Sequence, residues 1–570
     1  MSSALPPLAH LEVLIVDCQT TGATPAQGAV LELGWAVTQA EPHAVRHLES
    51  HWIALPAGKT VPAQVRKLTG YDPARHTLTL PPAEAWQRLR SLLPTGSPVP
   101  MAIHYAHFEL GFLRDWGQQF EPELPFPFDA VCVHAIARRL FPELPRRSLR
   151  ALAGYLGHGL ELERRCLGHV EATAFIWSKL SHELCARGVS SWADLREWLA
   201  TPAPPRPRKR RYPLPAAVYR ALPDQPGVYR FLRRNGDVLY VGKASSLRKR
   251  VAGHFTAGSS TTERALEMLT QVHEIRPTPT ATALEAALLE NEEIKSLAPP
   301  YNIQLLDEDR HTWFFDRTLD HAAPAPDGDH RRGPVPSPGS VRALRALQEL
   351  LGGTEPNVAL RARAVGAPER WAPDERVFAD GYAALLARHA LAATAPERVE
   401  RELLRVARQL LATTAEEPGS VSEETDEALT VSAPPSLRGW DPERVLRHLE
   451  RGLSHGHQLL QRARWLCLLF DCTIVFHELQ RAPRLLLLRA GRVVEARDLD
   501  EPASALLRTS SPQRPLHERQ AAFDRKQYDR SRTLTSELKR VLRDGGSVRI
   551  GLGRQRWLSD PALRAGLRWI

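Results

Sequence analysis

The segment LEVLIVD (11–17) is an apolar run closing on a carboxylate, and VLELGWAV (30–37) follows it after a turn rich in Gly and Pro. Short apolar runs bounded by turn residues read as buried strands, so the chain opens as a mixed α/β sheet. Helical periodicity at 61–68, 82–92, 107–118, 148–156 and 169–186, several with polar or Pro-containing starts, predicts helices that cover the sheet. Farther on, GVYRFL (227–232), the turn Asn235-Gly236-Asp237 and VLYVG (238–242) predict a two-stranded hairpin. A helix from near Ser245, another at 262–270, a strand QVHEI (271–275) and a helix at 280–297 with Leu284, Ala287 and Leu288 on one face complete a small α/β module. Past 311 the pattern is mostly amphipathic helix. After 437, WLCLLFDCTIVFHEL, RLLLLRAGRVVEA, a helix around 530–543 and SVRIGL predict an α+β domain.

Two compositional breaks set the boundaries. TPAPPRPRKRRYPLP (201–215) holds six prolines and five basic residues and reads as an extended basic linker. Residues 415–436 hold six acidic residues, no basic ones, and Gly, Ser and Pro throughout, the composition of a disordered acidic loop. The expected organisation is an α/β domain at 8–195, a linker at 196–215, the module at 216–310, a helical extension at 311–414, the acidic loop at 415–436 and an α+β domain at 437–570.

The 570 residues carry 43% apolar and 25% charged side chains, which excludes wholesale disorder and fibrous rods. Net charge is +10, but 66 of the 75 basic residues are arginine beside abundant Ala, Leu and Pro, so arginine alone says little about nucleic acid. Three of the nine lysines, Lys243, Lys249 and Lys295, fall in the module. No apolar run is long enough to span a bilayer and no secretory leader pattern opens the sequence, so a cytoplasmic protein without membrane contact is expected. Six cysteines without paired ligand spacing argue against disulfides and zinc.

Hydrolysing a phosphodiester needs an activated water, a divalent ion to offset phosphate charge and a cation near the scissile oxygens. The module carries groups for all three. Tyr229 and Tyr240 lie on adjacent strands, Lys243 follows at once, Arg250 is one turn into the next helix, and Glu290 precedes Tyr301-Asn302. The blocks PGVYRFL, LYVGKASSLRKRVAGHF, ALEAALLENEEIK and PPYNIQLLDED resemble, in order and spacing, a GIY-YIG nuclease of the UvrC and Cho type. The resemblance implies Tyr240 as general base, Tyr229 as its hydrogen-bonding partner, Lys243 tuning the base, Arg250 on the phosphate, Glu290 holding Mg²⁺ or Mn²⁺, and Asn302 as a supporting contact. His254 stands where many relatives have tyrosine. RRGPVPSPGSVRALRALQELL (331–351) is similar to the segment after the nuclease domain in UvrC. Two UvrC features are missing: no cysteine lies between 185 and 467, so no iron–sulfur cluster is expected, and no second carboxylate block follows residue 437.

VLIVDCQTTG, VRKLTGYDP, HYAHFELGFL and LRALAGYLG through LGHVEATAF resemble the DnaQ family of 3'-5' exonucleases over about residues 8–185, which implies an RNase H-like fold. That family holds two metal ions with four carboxylates and activates water with a histidine. Carried over residue by residue, these positions are Asp17, Gln19 and Glu109, then Arg164 for the base and His169 for the last carboxylate. At most two carboxylates replace four, so the exonuclease site is expected to be degenerate. The fold class is therefore multidomain α/β. The expected function is a DNA repair endonuclease of the nucleotide-excision kind, with DNA as partner and a UvrB-like loader or other repair or replication proteins beside it. The rivals are a bifunctional exonuclease/endonuclease and a non-catalytic DNA-binding repair adaptor.

Overall fold

The computed structural model describes residues 6–92, 98–160, 165–205, 210–256, 262–302, 312–339, 341–392, 396–414, 439–479, 481–499, 514–552 and 556–558. Arg164, the acidic segment 415–436 and part of the linker lie outside the described residues. The chain divides into two compact units, Met1–Ala286 with Ser296–Ile303, and Ala287–Lys295 with Gln304–Ile570.

In the first unit, β1 (Glu12–Thr20), β2 (Val30–Gln39), β3 (Ala44–Trp52), β4 (Val99–Ile103) and β5 (Phe128–Cys132) form one sheet in the order β3-β2-β1-β4-β5. The first three strands pair antiparallel, while β4 pairs parallel with both β1 and β5. The apolar run of β1 is continuous because both its faces are covered. Val13 and Ile15 pack with Val170 and Ile176 of the helix Cys166–Cys185, whereas Leu14 and Val16 pack with Trp86 and Phe112 on the opposite side. This is the RNase H-like sheet arrangement expected from the sequence.

The same unit contains β6 (Gly227–Leu232), β7 (Val238–Ala244) and β8 (Glu274–Pro279), in the order β7-β6-β8. The strand expected at 271–275 begins instead at Glu274, because the preceding helix Glu263–Gln271 runs on to Gln271. Pro277 and Pro279 are tolerated in β8 because it is an edge strand, where a missing N–H breaks no second ladder.

In the second unit, β9 (Trp313–Phe315), β10 (Ala322–Ala323) and β11 (Arg332–Val335) form a small sheet in a region whose pattern predicts mainly helix. Strands this short carry no readable alternation. The helices after β11 share a core that includes Leu347, Phe378, Leu403 and Leu449. Then β12 (Cys472–His477), β13 (Arg484–Arg489), β14 (Arg492–Asp498), β15 (Ser547–Leu552) and β16 (Arg556–Leu558) make an antiparallel sheet in the order β14-β13-β12-β15-β16. Among the described residues, no helix is long and apolar enough to cross a membrane.

Candidate active site

The hairpin register explains how two tyrosines come to share a face. Tyr229 lies opposite Gly242 and Phe231 opposite Tyr240, so strand alternation turns Tyr229, Phe231, Tyr240 and Gly242 the same way. The Tyr229 and Tyr240 ring centroids are 6.1 Å apart. Glycine at 242 is required by this approach: a Cβ there would lie 2.6 Å from Tyr229 Oη and 2.7 Å from Tyr240 Cε1. Tyr229 is fully buried and Tyr240 half-buried.

The Tyr229 hydroxyl is hydrogen-bonded to His254 Nε2 at 2.7 Å. His254 comes from the helix Leu247–Phe255, capped by Ser246 Oγ accepting from the Lys249 N–H, and its ring packs on Phe231. Burial, then the nearby Arg250 charge, lowers its pKa to about 4, so at neutral pH the imidazole is uncharged and offers one acceptor nitrogen. Arg250 is exposed on the same helix. Lys243 is exposed near the end of β7, opposite Val228 and out of phase with Tyr240.

β7 is the free edge of its sheet, and the segment Tyr301-Asn302 closes that edge. The Tyr301 N–H donates to Leu239 O at 3.1 Å. Asn302 Oδ1 accepts from the Val241 N–H at 3.0 Å and its Nδ2 donates to Val241 O at 2.9 Å. The backbone on both sides of Tyr240 is thus pinned by two consecutive residues, and Asn302 acts on β7 through the backbone.

Glu290 lies half-buried on the helix Ala283–Leu297, whose residues 287–295 group with the second unit. Within that unit the helix is fastened by Lys295 Nζ to Asp529 Oδ2 at 2.6 Å and by Asn291 Nδ2 to Thr533 Oγ1 at 3.3 Å. The structure therefore gathers Tyr229, Tyr240, His254 and Asn302 in the first unit, while Glu290 is described with the second. Among the described residues, no three His, Cys, Asp or Glu side chains gather as a metal cluster. Glu290 offers one carboxylate, which suits Mg²⁺, an ion that keeps most of its water and takes one or two carboxylates.

The exonuclease-like positions form a separate cluster at the end of β1. His169 Nδ1 lies 3.2 Å from Asp17 Oδ1, and Gln19 Nε2 donates to Asp17 Oδ2 at 3.1 Å. Burial alone would raise the Asp17 carboxyl, but the His169 charge and hydrogen bonds from His169, Cys166 and Gln19 outweigh it and hold it below the usual carboxylate range. Glu109 is buried on the first turn of the helix Ala106–Phe120, and its Oε2 has no hydrogen-bond partner among the described residues. Burial first, then the Asp17 charge, pushes its pKa well up, which favours the neutral acid. A third carboxylate escaped the sequence reading: Glu32, fully buried opposite Gln19 on β2, pairs with Arg165 at 3.1 Å, whose guanidinium lies over the Trp52 ring. Nothing in the local sequence distinguishes Glu32 from an ordinary outward-facing strand residue.

Residues 225–303 match the UvrC-like GIY-YIG domain. A Mycobacterium tuberculosis protein named as a bifunctional exonuclease/endonuclease is 30% identical over 354 residues, 59% of this chain and 51% of that protein. The UvrABC system protein C of Alkalilimnicola ehrlichii is 42% identical over 144 residues, 24% of this chain and 23% of that protein. The chain thus spans about half the length of the first relative and about a quarter of the second. Among solved structures, the magnesium-bound GIY-YIG endonuclease domain of UvrC from Thermotoga maritima is 29% identical, with 15% of this chain and 93% of that chain covered and a TM-score of 0.14. A 3'-exonuclease that recognises a histone mRNA stem-loop is 13% identical, with 30% and 83% covered and a TM-score of 0.27. Residues 225–303 thus form a UvrC-like GIY-YIG domain, preceded in this chain by a domain whose sheet order, β3-β2-β1-β4-β5, is RNase H-like.

Proposed function

We propose that the chain is a metal-dependent DNA endonuclease that nicks through its GIY-YIG domain in nucleotide-excision-type repair, in the cytoplasm and together with a UvrB-like loader. The observation that carries this reading is the shared hairpin face, where Tyr229, held by His254 at 2.7 Å, lies beside Tyr240 on a strand whose edge is closed by Asn302. Tyr240 Oη takes the proton from the attacking water. Tyr229, itself hydrogen-bonded to His254, is the hydrogen-bonding partner of that base. Lys243 favours the phenolate by its charge, and Arg250 neutralises the phosphate. Glu290 would hold Mg²⁺ or Mn²⁺, which when bound would supply positive charge against the scissile phosphate. The gap without cysteine between Cys185 and Cys467 supports a protein that needs no iron–sulfur cluster.

In this reading the exonuclease-fold domain is not catalytic. Asp17 is engaged by His169 and Gln19, Glu109 favours its neutral form, and Glu32 is neutralised by Arg165, so no pair of free carboxylates is left to hold two metal ions. The second reading, two active nucleases, draws on the name of the M. tuberculosis relative and on the retained Asp17 and Glu109.

The test is purified full-length protein with Mg²⁺ and a labelled damaged duplex, with and without a loader. Nicking that requires Mg²⁺ and disappears in Glu290→Ala is expected. Nicking by Glu290→Ala at the wild-type rate would remove the assigned site.

A further inference from the structure

The two folded parts of the first unit meet through a polar network that ends on the strand carrying Tyr240. The helix Leu149–Leu156 of the exonuclease fold packs on Glu263–Gln271 of the nuclease module. The approach is close enough that a Cβ on Gly154 would lie 1.9 Å from Gln271 Oε1. At the centre of the contact stands Glu267. Its Oε2 accepts from Ser148 Oγ at 2.6 Å, and its Oε1 accepts from Arg150 at 3.3 Å and from Tyr301 Oη at 2.9 Å. Gln271 Nε2 donates to the same Tyr301 oxygen at 2.6 Å, and Arg233 Nε donates to Gln271 Oε1 at 3.0 Å. Arg146 adds a two-pronged but exposed pair to Glu263, at 2.9 and 3.1 Å.

Tyr301 is the link to the active-site strand. Its N–H holds Leu239 O, and its neighbour Asn302 clamps both backbone groups of Val241, so these two residues fix the strand on either side of Tyr240. Burial and the Glu267 carboxylate raise the Tyr301 hydroxyl well above its ordinary range, so it remains a donor to Glu267. A half-buried carboxylate that accepts from three donors has one good position, and two of those donors belong to the exonuclease fold.

We propose that the exonuclease-fold domain is an integral scaffold of the nuclease: Ser148 and Arg150 fix Glu267, which through Tyr301 and Asn302 positions the strand that carries Tyr240. This rests on the reading of Tyr240 as the base. Ser148, Arg150 and Glu267 are positioning residues, and the loss of exonuclease ligands leaves this role untouched because none of them is an exonuclease ligand position.

The test uses the full chain and two readouts, single-turnover nicking and backbone hydrogen exchange of residues 238–244. The Ser148→Ala/Arg150→Ala double variant is expected to nick about tenfold to a hundredfold more slowly, the range that a shift on the order of 1 Å at a reacting group produces. DNA affinity should hold, and exchange at Val241 should accelerate. In a Tyr301→Phe background the same pair should cost nothing further, because the link is already cut. Glu267→Gln, which still accepts from Tyr301, should recover much of the rate lost in Glu267→Ala. Arg146→Ala, which removes only the exposed pair to Glu263, should nick like wild type. The proposal is overturned if the double variant keeps the wild-type rate and Val241 protection. It is equally overturned if the rate falls only in proportion to the fraction of protein unfolded, with Val241 protected in the remainder. Should the wild type itself fail to nick, the nuclease reading falls, while exchange at Val241 still decides the positional coupling.

Discussion

Replacing Gly242 by alanine is the smallest change that should disturb both tyrosines at once. The new Cβ would stand 2.6 Å from Tyr229 Cζ and Oη and 2.7 Å from Tyr240 Cε1. Carbon contacts are comfortable at about 3.5 Å, so the rings or the strand must give by about 0.9 Å. Tyr229 cannot retreat: it is fully buried, with Phe231 beside it at a centroid distance of 5.2 Å and its hydroxyl tied to His254. Overpacking of this kind costs about 1–3 kcal/mol, and loss of the Tyr229–His254 hydrogen bond adds about 1 kcal/mol. Urea unfolding of Gly242→Ala should therefore show a loss of about 2–4 kcal/mol, and single-turnover nicking of the folded fraction should fall about a hundredfold. Gly253→Ala is the matched control. It lies exposed on the helix Leu247–Phe255 with nothing within 4 Å of an added Cβ, so it should gain up to about 1 kcal/mol of stability and nick normally. A Gly242→Ala protein as stable and as active as wild type would refute the packing of both rings over this glycine.

The neutral histidine that holds Tyr229 predicts an acid limb. The folded pKa of His254, about 4, lies below its ordinary 6.5, so its share of stability is fully present above 6.5 and is lost as pH falls toward 4. His134, also lowered to about 4, and His104, to about 3, add to the same limb, so His254→Gln should remove only part of it in urea midpoints measured between pH 7 and 4. For the exonuclease fold, full-length Glu290→Ala, with its nuclease silenced, should leave a labelled single-stranded 3' end intact in Mg²⁺ or Mn²⁺. Stepwise digestion that vanishes on adding Asp17→Ala would instead establish a second active nuclease.

The central hairpin was legible because its turn and its alternation are both local, and the tyrosines sit on that alternation. β1 and β2 were legible for the same reason, as largely apolar runs, β2 broken only by Glu32 and Gly34 before its polar end. β3 was not: RHLESHW is largely polar and part-exposed, and what makes it a strand is backbone pairing with β2, which leaves no hydrophobic signature. The start of β8 was misread because Val272 continues the apolar pattern of the helix before it into the turn, and the two prolines conceal the strand. Among site residues, Tyr229, Tyr240 and Asn302 could be named from motif blocks, but the partner that holds Tyr229 could not be, since a histidine on a helix face gives no sign of pointing at a hydroxyl. Ser148, Glu267 and Tyr301 are more than a hundred residues apart at the extremes and read individually as a helix cap, a solvated helix residue and a packing aromatic. Their joint role depends on two helices meeting at Gly154, a tertiary event with no periodicity of its own.

The most direct test of Tyr240 as the base is Tyr240→Phe, which removes one oxygen atom and keeps the ring packed in the hairpin. Single-turnover nicking of a labelled damaged duplex in Mg²⁺ should be measured beside the equilibrium affinity for the same duplex. A rate lower by about 10²- to 10⁴-fold, the usual contribution of a general base, is expected with affinity retained. An unchanged nicking rate with weakened binding would contradict the assignment, for then Tyr240 would be a contact to DNA and the proton from water would have to go elsewhere.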